Sequence, residues 1–384
     1  MPCPVTVTGV AEIQGTCDQR FDAVRVALAE SLDDADVGAA AAVFIDGEPV
    51  ADLWGGYTDA QRTTRWQQDT ITNVWSTTKT MVALCALILA DRGDLDLDAP
   101  VARYWPEFGA AGKDGVLVRH LLSHTAGLPD FDPPVMVGDL YDWPGAIDRL
   151  AKQAPRWEPG TLAGYHSVTQ GFLVGEVVRR VTGHSLAAFF ADQVAGPLGA
   201  DFHLTLPAEH DRRFAPGLPP PDAPDGDLTA APPSSPEGTV EGTAPEPPAG
   251  TAIRLSDGNS VAWRRAEMLS ASGYGNARSV AAVQSVLACG GLVNGTRLLS
   301  KAGCERAREE QYRGIDQVTG SSVRYGMGYG IFDPAIGWGG WGGSMVMVDL
   351  DARLSVAYVM NQMARGGDYR GLGIVLAAYE GLES

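Results

Sequence analysis

Apolar positions recur with helical spacing from Asp18 to Leu32, where Phe21, Val24, Leu28 and Leu32 share one face. The pattern then changes period. Ala42, Val43, Phe44 and Ile45 run into Asp46-Gly47, a strong turn pair, and Val50 to Trp54 returns, so Gly38 to Tyr57 is predicted as a hairpin. A long apolar run, Met81 to Ala90, predicts a buried helix that stops at Gly93. Asp94 to Pro100 is short, acidic and turn-like. Helical patterns recur at Val118 to Ser123, Gly145 to Gln153, Thr169 to Val181, Leu186 to Val194 and Ser279 to Cys289. After glycine- and aromatic-rich sequence from Tyr325 to Gly343, Met345 to Val348 and Leu354 to Val359 read as a second hairpin across Asp349 to Arg353.

The order is sheet, helices, sheet. It predicts an α+β architecture in which both ends of the chain share one antiparallel sheet and the middle inserts a helical region. The expected division is a sheet region at 1–80 and 265–384 and a mainly helical region at 81–264. Ala215 to Gly250 is rich in Pro, Gly and acidic residues and has almost no large apolar ones, so it cannot fold on its own core. It reads as a long loop within one fold, with a linker between independent domains as the alternative.

Composition narrows the function. A formal net charge of −18 over 384 residues argues against nucleic acid and anionic membrane surfaces as partners. The first twenty residues show neither a basic start nor a sustained apolar segment, and no apolar run is long enough to span a bilayer. Five scattered cysteines, Cys3, Cys17, Cys85, Cys289 and Cys304, lack Cys-x-x-Cys spacing and imply neither a disulfide framework nor a zinc site. A cytoplasmic protein without metal or cofactor is expected. His120 and His124 are spaced i, i+4, yet no acidic residue stands between them as in a metalloprotease helix. They read as structural or capping histidines on a short helix that ends at Gly127.

Candidate chemistry centres on Ser76-Thr77-Thr78-Lys79, which opens the long apolar run. Residues three apart on a helix share a face, so the lysine amine would stand beside the serine hydroxyl and take its proton. The chain has four lysines (Lys79, Lys113, Lys152, Lys301) against 25 arginines, and only Lys79 enters sequence that looks buried. An arginine there could not shed its proton. The competing reading is a helix cap followed by a lysine that reaches out to water. Tyr165 follows Pro159-Gly160 and precedes a helical pattern. It is a candidate to pass the proton on, or else a half-buried tyrosine at a helix entrance. Trp338-Gly339-Gly340-Trp341-Gly342-Gly343-Ser344 precedes an apolar strand, and glycines there would let backbone amides approach a ligand closely. No Gly-x-Ser-x-Gly pentapeptide occurs, so the α/β-hydrolase layout has no motif support.

Together, Ser76 to Lys79, the Pro159-Gly160 to Tyr165 segment and Trp338-Gly339-Gly340 resemble the three motifs of serine β-lactamases and penicillin-binding proteins. The chain looks most like the family VIII carboxylesterases, which are similar to class C β-lactamases. Leu121 to Pro129 (LLSHTAGLP) and Asp94 to Phe108 (DLDLDAPVARYWPEF) are typical of the group, and the resemblance runs from about Gly38 to Gln362. It implies a β-lactamase-like fold and an acyl-enzyme on Ser76. Lys79 and Tyr165 would act as the base, and the amides of Ser76 and Trp341 would hold the oxyanion. Trp338, Gly339 and Gly340 would line the substrate site. The usual Tyr-x-Asn is here Tyr165-His166-Ser167, and the usual Lys-Thr-Gly is Trp338-Gly339-Gly340. Loss of that lysine favours small neutral esters over carboxylate-bearing β-lactams. An amide hydrolase or D-amino peptidase, a weak β-lactamase and an acyltransferase remain open as variants of the same chemistry. A non-catalytic binding protein is the rival of another class. The oligomeric state is left open.

Overall fold

The computed structural model describes residues 11–221, 223, 251–365 and 368–383. The chain first lays down β1 (Ile13–Cys17), β2 (Gly38–Ile45) and β3 (Glu48–Gly56). Its middle supplies only short strands: β4 (Ile71–Asn73), β5 (Phe202–His203), β6 (Phe214–Ala215), β7 (Tyr274–Gly275) and the pair β8 (Leu292–Val293) and β9 (Thr296–Arg297). The last third returns with β10 (Tyr312–Ile315), β11 (Ser322–Tyr325), β12 (Gly330–Ile331), β13 (Ile336–Gly339), β14 (Met345–Asp349) and β15 (Leu354–Met360). The main sheet is antiparallel throughout, in the order β1-β3-β2-β15-β14-β13-β12-β11-β10. The shared sheet and the two hairpins stand as the hydrophobic pattern predicts. β15 lies against β2, with Val356 opposite Val43 and Tyr358 opposite Ala41, and this pairing closes the sheet between the two parts of the chain.

Local chemistry sets the hairpins. Asp46 and Gly47 both have positive φ (53° and 83°), the backbone of a tight two-residue turn whose twist matches the flanking strands. Seven of the eight β2 residues are buried in succession, so both faces of that strand are covered. The helix α1 (Asp22–Asp34) and the helix Arg370–Glu383 pack on one another and on the sheet, while the helix Ala277–Ala288 packs on β2, β14 and β15.

The helix α2 (Thr78–Asp91) is buried at every position from Thr78 to Leu89. A helix that is apolar all round belongs in the middle of a molecule, and α2 is flanked by helices on several sides. α3 (Val118–Leu122), α4 (Trp143–Lys152) and α5 (Thr169–Thr182) follow as the periodicity predicts. α3 ends at Leu122, five residues before the predicted stop at Gly127, because His124 adopts φ 61° and turns the chain out of the helix. The small sheet β5-β7-β4-β6 left no signal in the sequence, since strands of two or three residues leave no period to read. Most of Ala215 to Gly250 lies outside the described residues. On its N-terminal side the Leu218 N–H donates to Asn361 O (2.7 Å). On its C-terminal side the Thr251 N–H donates to Asp130 Oδ2 (3.0 Å).

Candidate active site

Ser76 sits on a 3₁₀ turn, Trp75–Thr77, that runs straight into α2. The tight turn brings i and i+3 into line, which is how Ser76 and Lys79 meet. The turn carries backbone strain, because Trp75 has φ 47°, a region that bulky residues avoid. Its surroundings hold it there. The Trp75 N–H donates to Asn73 Oδ1 (3.1 Å), and its ring lies 4.7 Å from Trp341 and 5.9 Å from Trp263. A Cβ on Gly258 would sit 2.3 Å from the same indole.

Lys79 is 1% exposed, and its Nζ lies 3.2 Å from Ser76 Oγ. It donates to Ser167 O (2.8 Å) and Ser270 O (3.0 Å). Enclosure away from water pushes the amine pKa down from its ordinary value, and the neighbouring Tyr165 opposes the shift only in part. A neutral amine has two N–H groups and one lone pair. With both N–H groups committed to the two carbonyls, the lone pair is left for Ser76 Oγ.

Tyr165 donates its O–H to Ser76 Oγ at 2.7 Å, and the Lys79 Nζ lies 4.8 Å from its ring centroid. Ser76 Oγ therefore stands between the amine and the phenol. Around Tyr165 lie the rings of His124 (5.1 Å) and Trp338 (5.7 Å), and Tyr325 lies 5.6 Å from Trp338.

The third motif borders the same serine. Trp338 and Gly339 end β13, and the turn into β14 is closed by the Gly340 N–H donating to Ser344 O (2.7 Å). Ser344 Oγ donates to Val74 O (2.7 Å) and lies 3.1 Å from Thr77 Oγ1, which pins this turn to the turn that carries Ser76. Gly340 is required by this approach: a Cβ there would meet Ser344 Oγ at 2.1 Å and Val74 O at 2.3 Å. The Arg370 guanidinium donates to Gly342 O (2.7 Å) and pairs with Asp368 (2.7 Å) and the buried Asp36, tying the far side of the turn to the helix at Arg370.

The structure thus brings Ser76, Lys79, Tyr165, Trp338, Gly340 and Trp341 into one neighbourhood. Other participants left no sequence signal. Ser167 and Ser270 act through main-chain carbonyls, which no residue type announces. Lys113 needs correction. The sequence suggested that Lys79 alone is buried, yet Lys113 is 0% exposed and donates to Ala110 O (2.9 Å), Ala151 O (3.0 Å) and Gln153 O. Burial pushes its pKa down to about 8. With its N–H groups bound to carbonyls and no hydroxyl among its hydrogen-bond partners, it is a structural clamp. His120 does cap α3, accepting the Leu117 N–H on Nδ1 (3.2 Å). His124 lies beyond that helix and against Tyr165.

Among the described residues, no group of three or more His, Cys, Asp or Glu side chains is arranged to hold a metal ion, and no helix is long and apolar enough to cross a membrane. An antiparallel sheet shared by distant parts of the chain, with a serine and lysine at the head of a buried central helix, defines a β-lactamase-like serine hydrolase. Residues 26–379 match the Beta-lactamase family, and the chain belongs to that family. It is 34% identical over 361 residues to the Esterase/beta-lactamase LipL of Mycobacterium tuberculosis, covering 91% of this chain and 83% of that protein. A solved family VIII carboxylesterase superposes with a TM-score of 0.85 at 40% identity, covering 96% of this chain and 100% of that one. A penicillin-binding protein homologue from Caulobacter crescentus gives a TM-score of 0.84 at 35% identity, with 96% and 100% coverage. The resemblance read from the three motifs is borne out.

Proposed function

We propose that the chain is a carboxylesterase that hydrolyses short-chain, neutral carboxylic esters through an acyl-enzyme on Ser76. The observation that carries this reading is the position of Ser76 Oγ, 3.2 Å from the Lys79 amine and 2.7 Å from the Tyr165 hydroxyl. In the first step the neutral amine takes the serine proton, and Oγ bonds to the ester carbonyl carbon. The carbonyl oxygen gains the negative charge and meets the amides of Ser76 and Trp341. Neither amide has an acceptor among the described residues. The intermediate collapses as the C–O bond to the alcohol breaks, and Tyr165 gives that alkoxide its proton. The resulting phenolate recovers a proton from the Lys79 ammonium. Water then attacks the acyl-enzyme along the same path in reverse, releasing the acid and free Ser76. The name of the mycobacterial relative and the carboxylesterase neighbour support ester chemistry.

Incubation with a fluorophosphonate should label Ser76, read by mass spectrometry of the digested protein. Ser76→Ala should abolish both labelling and hydrolysis of a p-nitrophenyl ester series. Labelling of a different serine, with Ser76→Ala still active, would sink the mechanism. Nitrocefin run beside the esters should be turned over poorly.

Substrate charge gives a second expectation. Trp338 presents an indole beside Tyr165, with one N–H donor and a broad apolar face but no charge. The field of an acidic protein adds a salt-screened penalty for anions. Trp338→Lys should raise kcat/KM for a carboxylate-bearing ester relative to its neutral methyl ester. The gain should shrink at high salt, and neutral esters should lose some activity with the apolar contact. An unchanged ratio would mean that Trp338 does not line the place where a carboxylate binds.

A further inference from the structure

The loop after α3 is laced to the loop that carries Tyr165. The Arg156 N–H donates to Gly127 O (2.8 Å), Gly160 N–H to Thr125 O (2.9 Å) and Gly164 N–H to His124 O (3.0 Å). Thr169 Oγ1 donates to Leu128 O (2.6 Å). One residue contributes twice. His124 accepts the Gly164 N–H on its carbonyl and the His166 N–H on its side-chain Nδ1 (3.1 Å). Those are the residues immediately before and after Tyr165. His124 is 1% exposed and holds φ 61° to make both contacts.

The protons in this clamp follow from the partners. His166 Nδ1 lies 2.6 Å from Gly164 O, which can only accept, so Nδ1 carries the proton. Its Nε2 is then free to accept the Leu128 N–H (3.2 Å). His124 accepts on Nδ1, so its own proton sits on Nε2. That nitrogen is buried and has no hydrogen-bond partner among the described residues. The ring is enclosed by aromatic neighbours instead, with Tyr165 and Tyr325 at 5.1 Å and Trp338 at 5.2 Å. An imidazolium would turn Nδ1 into a donor facing the His166 N–H and open the clamp. The clamp therefore requires a neutral ring, and burial of the imidazole acts to keep it so.

We propose that His124 is a positioning residue for Tyr165. Its carbonyl and its imidazole fix the backbone on both sides of the phenol, and so set the 2.7 Å contact from Tyr165 to Ser76 Oγ. This rests on the reading of Tyr165 as the proton carrier. A lost clamp misplaces the phenol without touching the ester, so the effect belongs in kcat and not in KM.

The test is a kinetic double-mutant cycle on p-nitrophenyl butyrate and ethyl butyrate. His124→Gly accepts the positive φ but removes the side-chain acceptor. His124→Asn tolerates the same φ and offers an amide oxygen to the His166 N–H. His124→Phe keeps the ring and serves if the glycine variant fails to fold. Loss of the acceptor should lower kcat on the order of 10²-fold, as expected for a misplaced catalytic group, with KM little changed. The asparagine variant should recover about tenfold of that loss, because an acceptor is restored. In the Tyr165→Phe background the His124 substitutions should cost no more than about 2-fold further, since there is no phenol left to position. An equal loss in both backgrounds, or an asparagine variant no better than glycine, would overturn the proposal and leave the Tyr165 mechanism standing. A fully active Tyr165→Phe enzyme would instead remove the mechanism, and the proposal with it.

Discussion

Lys79→Met should give a folded protein whose kcat on p-nitrophenyl butyrate is lower by roughly 10²–10⁴-fold, the usual cost of losing a positioned base. Lys79→Arg should be as damaging. A guanidinium keeps its proton, and the enclosure around Nζ, with acceptors at Ser167 O and Ser270 O and with Ser76 Oγ at 3.2 Å, is fitted to a small amine. KM should change little, because the proposed bond to the ester forms at Ser76 and not at Lys79. The pH dependence has a definite sign. A protonated amine cannot accept the serine proton, so kcat/KM should fall as pH drops through the lowered pKa of Lys79. Stability carries the same signature. The folded-state amine binds its proton less tightly than in the unfolded chain. Between the two pKa values the unfolded state holds more protons, so this group's contribution to stability improves as pH rises toward the unfolded value. Removing the amine should flatten that dependence, so the melting temperature of Lys79→Met relative to wild type should be more favourable at lower pH. Near-wild-type turnover by Lys79→Arg would rule out a deprotonated amine as the base.

Much of the fold was legible because its elements are long and one-sided. The α1 stripe of Val24, Leu28 and Leu32, the Asp46-Gly47 turn and the strand pair at Met345 and Leu354 each follow from a period or a turn residue. The elements without such a signal are set by distant contacts. The strands β4 to β7 are two or three residues long and exist because Thr72 meets Ala215 and Gly275. Lys113 looked like a turn residue because its burial comes from the carbonyls of Ala151 and Gln153, nearly forty residues away.

The site was legible in its chemistry and not in its support. Serine and lysine three apart, a tyrosine after Pro-Gly and a glycine-rich strand end are all visible in one dimension. The parts that aim them are not. The Lys79 amine is oriented by two carbonyls, which every residue possesses. His124 resembled a helix residue because it stands four after His120, yet the chain turns at φ 61° and sends its ring to Tyr165. The glycine at Gly340 was read as room for a ligand. It also makes room for Ser344 and Val74, which fasten the third motif to the first.

Tyr165→Phe should leave the fold intact, because its ring packing against His124 and Trp338 survives, and should lower turnover by an amount that depends on the leaving group. The phenol has two tasks. It donates to Ser76 Oγ at 2.7 Å in the resting enzyme, and in the proposed mechanism it supplies the proton that lets the alcohol depart. A p-nitrophenolate leaves near neutral pH without a proton, so that substrate should report mainly the first task. An ethoxide cannot leave without one. Loss of a positioned acid costs roughly 10²–10⁴-fold, and ethyl butyrate should sit near the upper end of that range, with p-nitrophenyl butyrate near the lower. The gap between the two esters, measured as kcat for wild type and variant, isolates proton delivery from orientation of the serine. Single-turnover acylation should slow with the leaving group in the same way, whereas deacylation should slow equally for both esters, since they share one butyryl-enzyme. Equal losses on both esters in the acylation step would mean that Tyr165 aligns Ser76 without protonating the alcohol. The acid would then have to be the Lys79 ammonium, reaching the alkoxide from the opposite side of Ser76 Oγ.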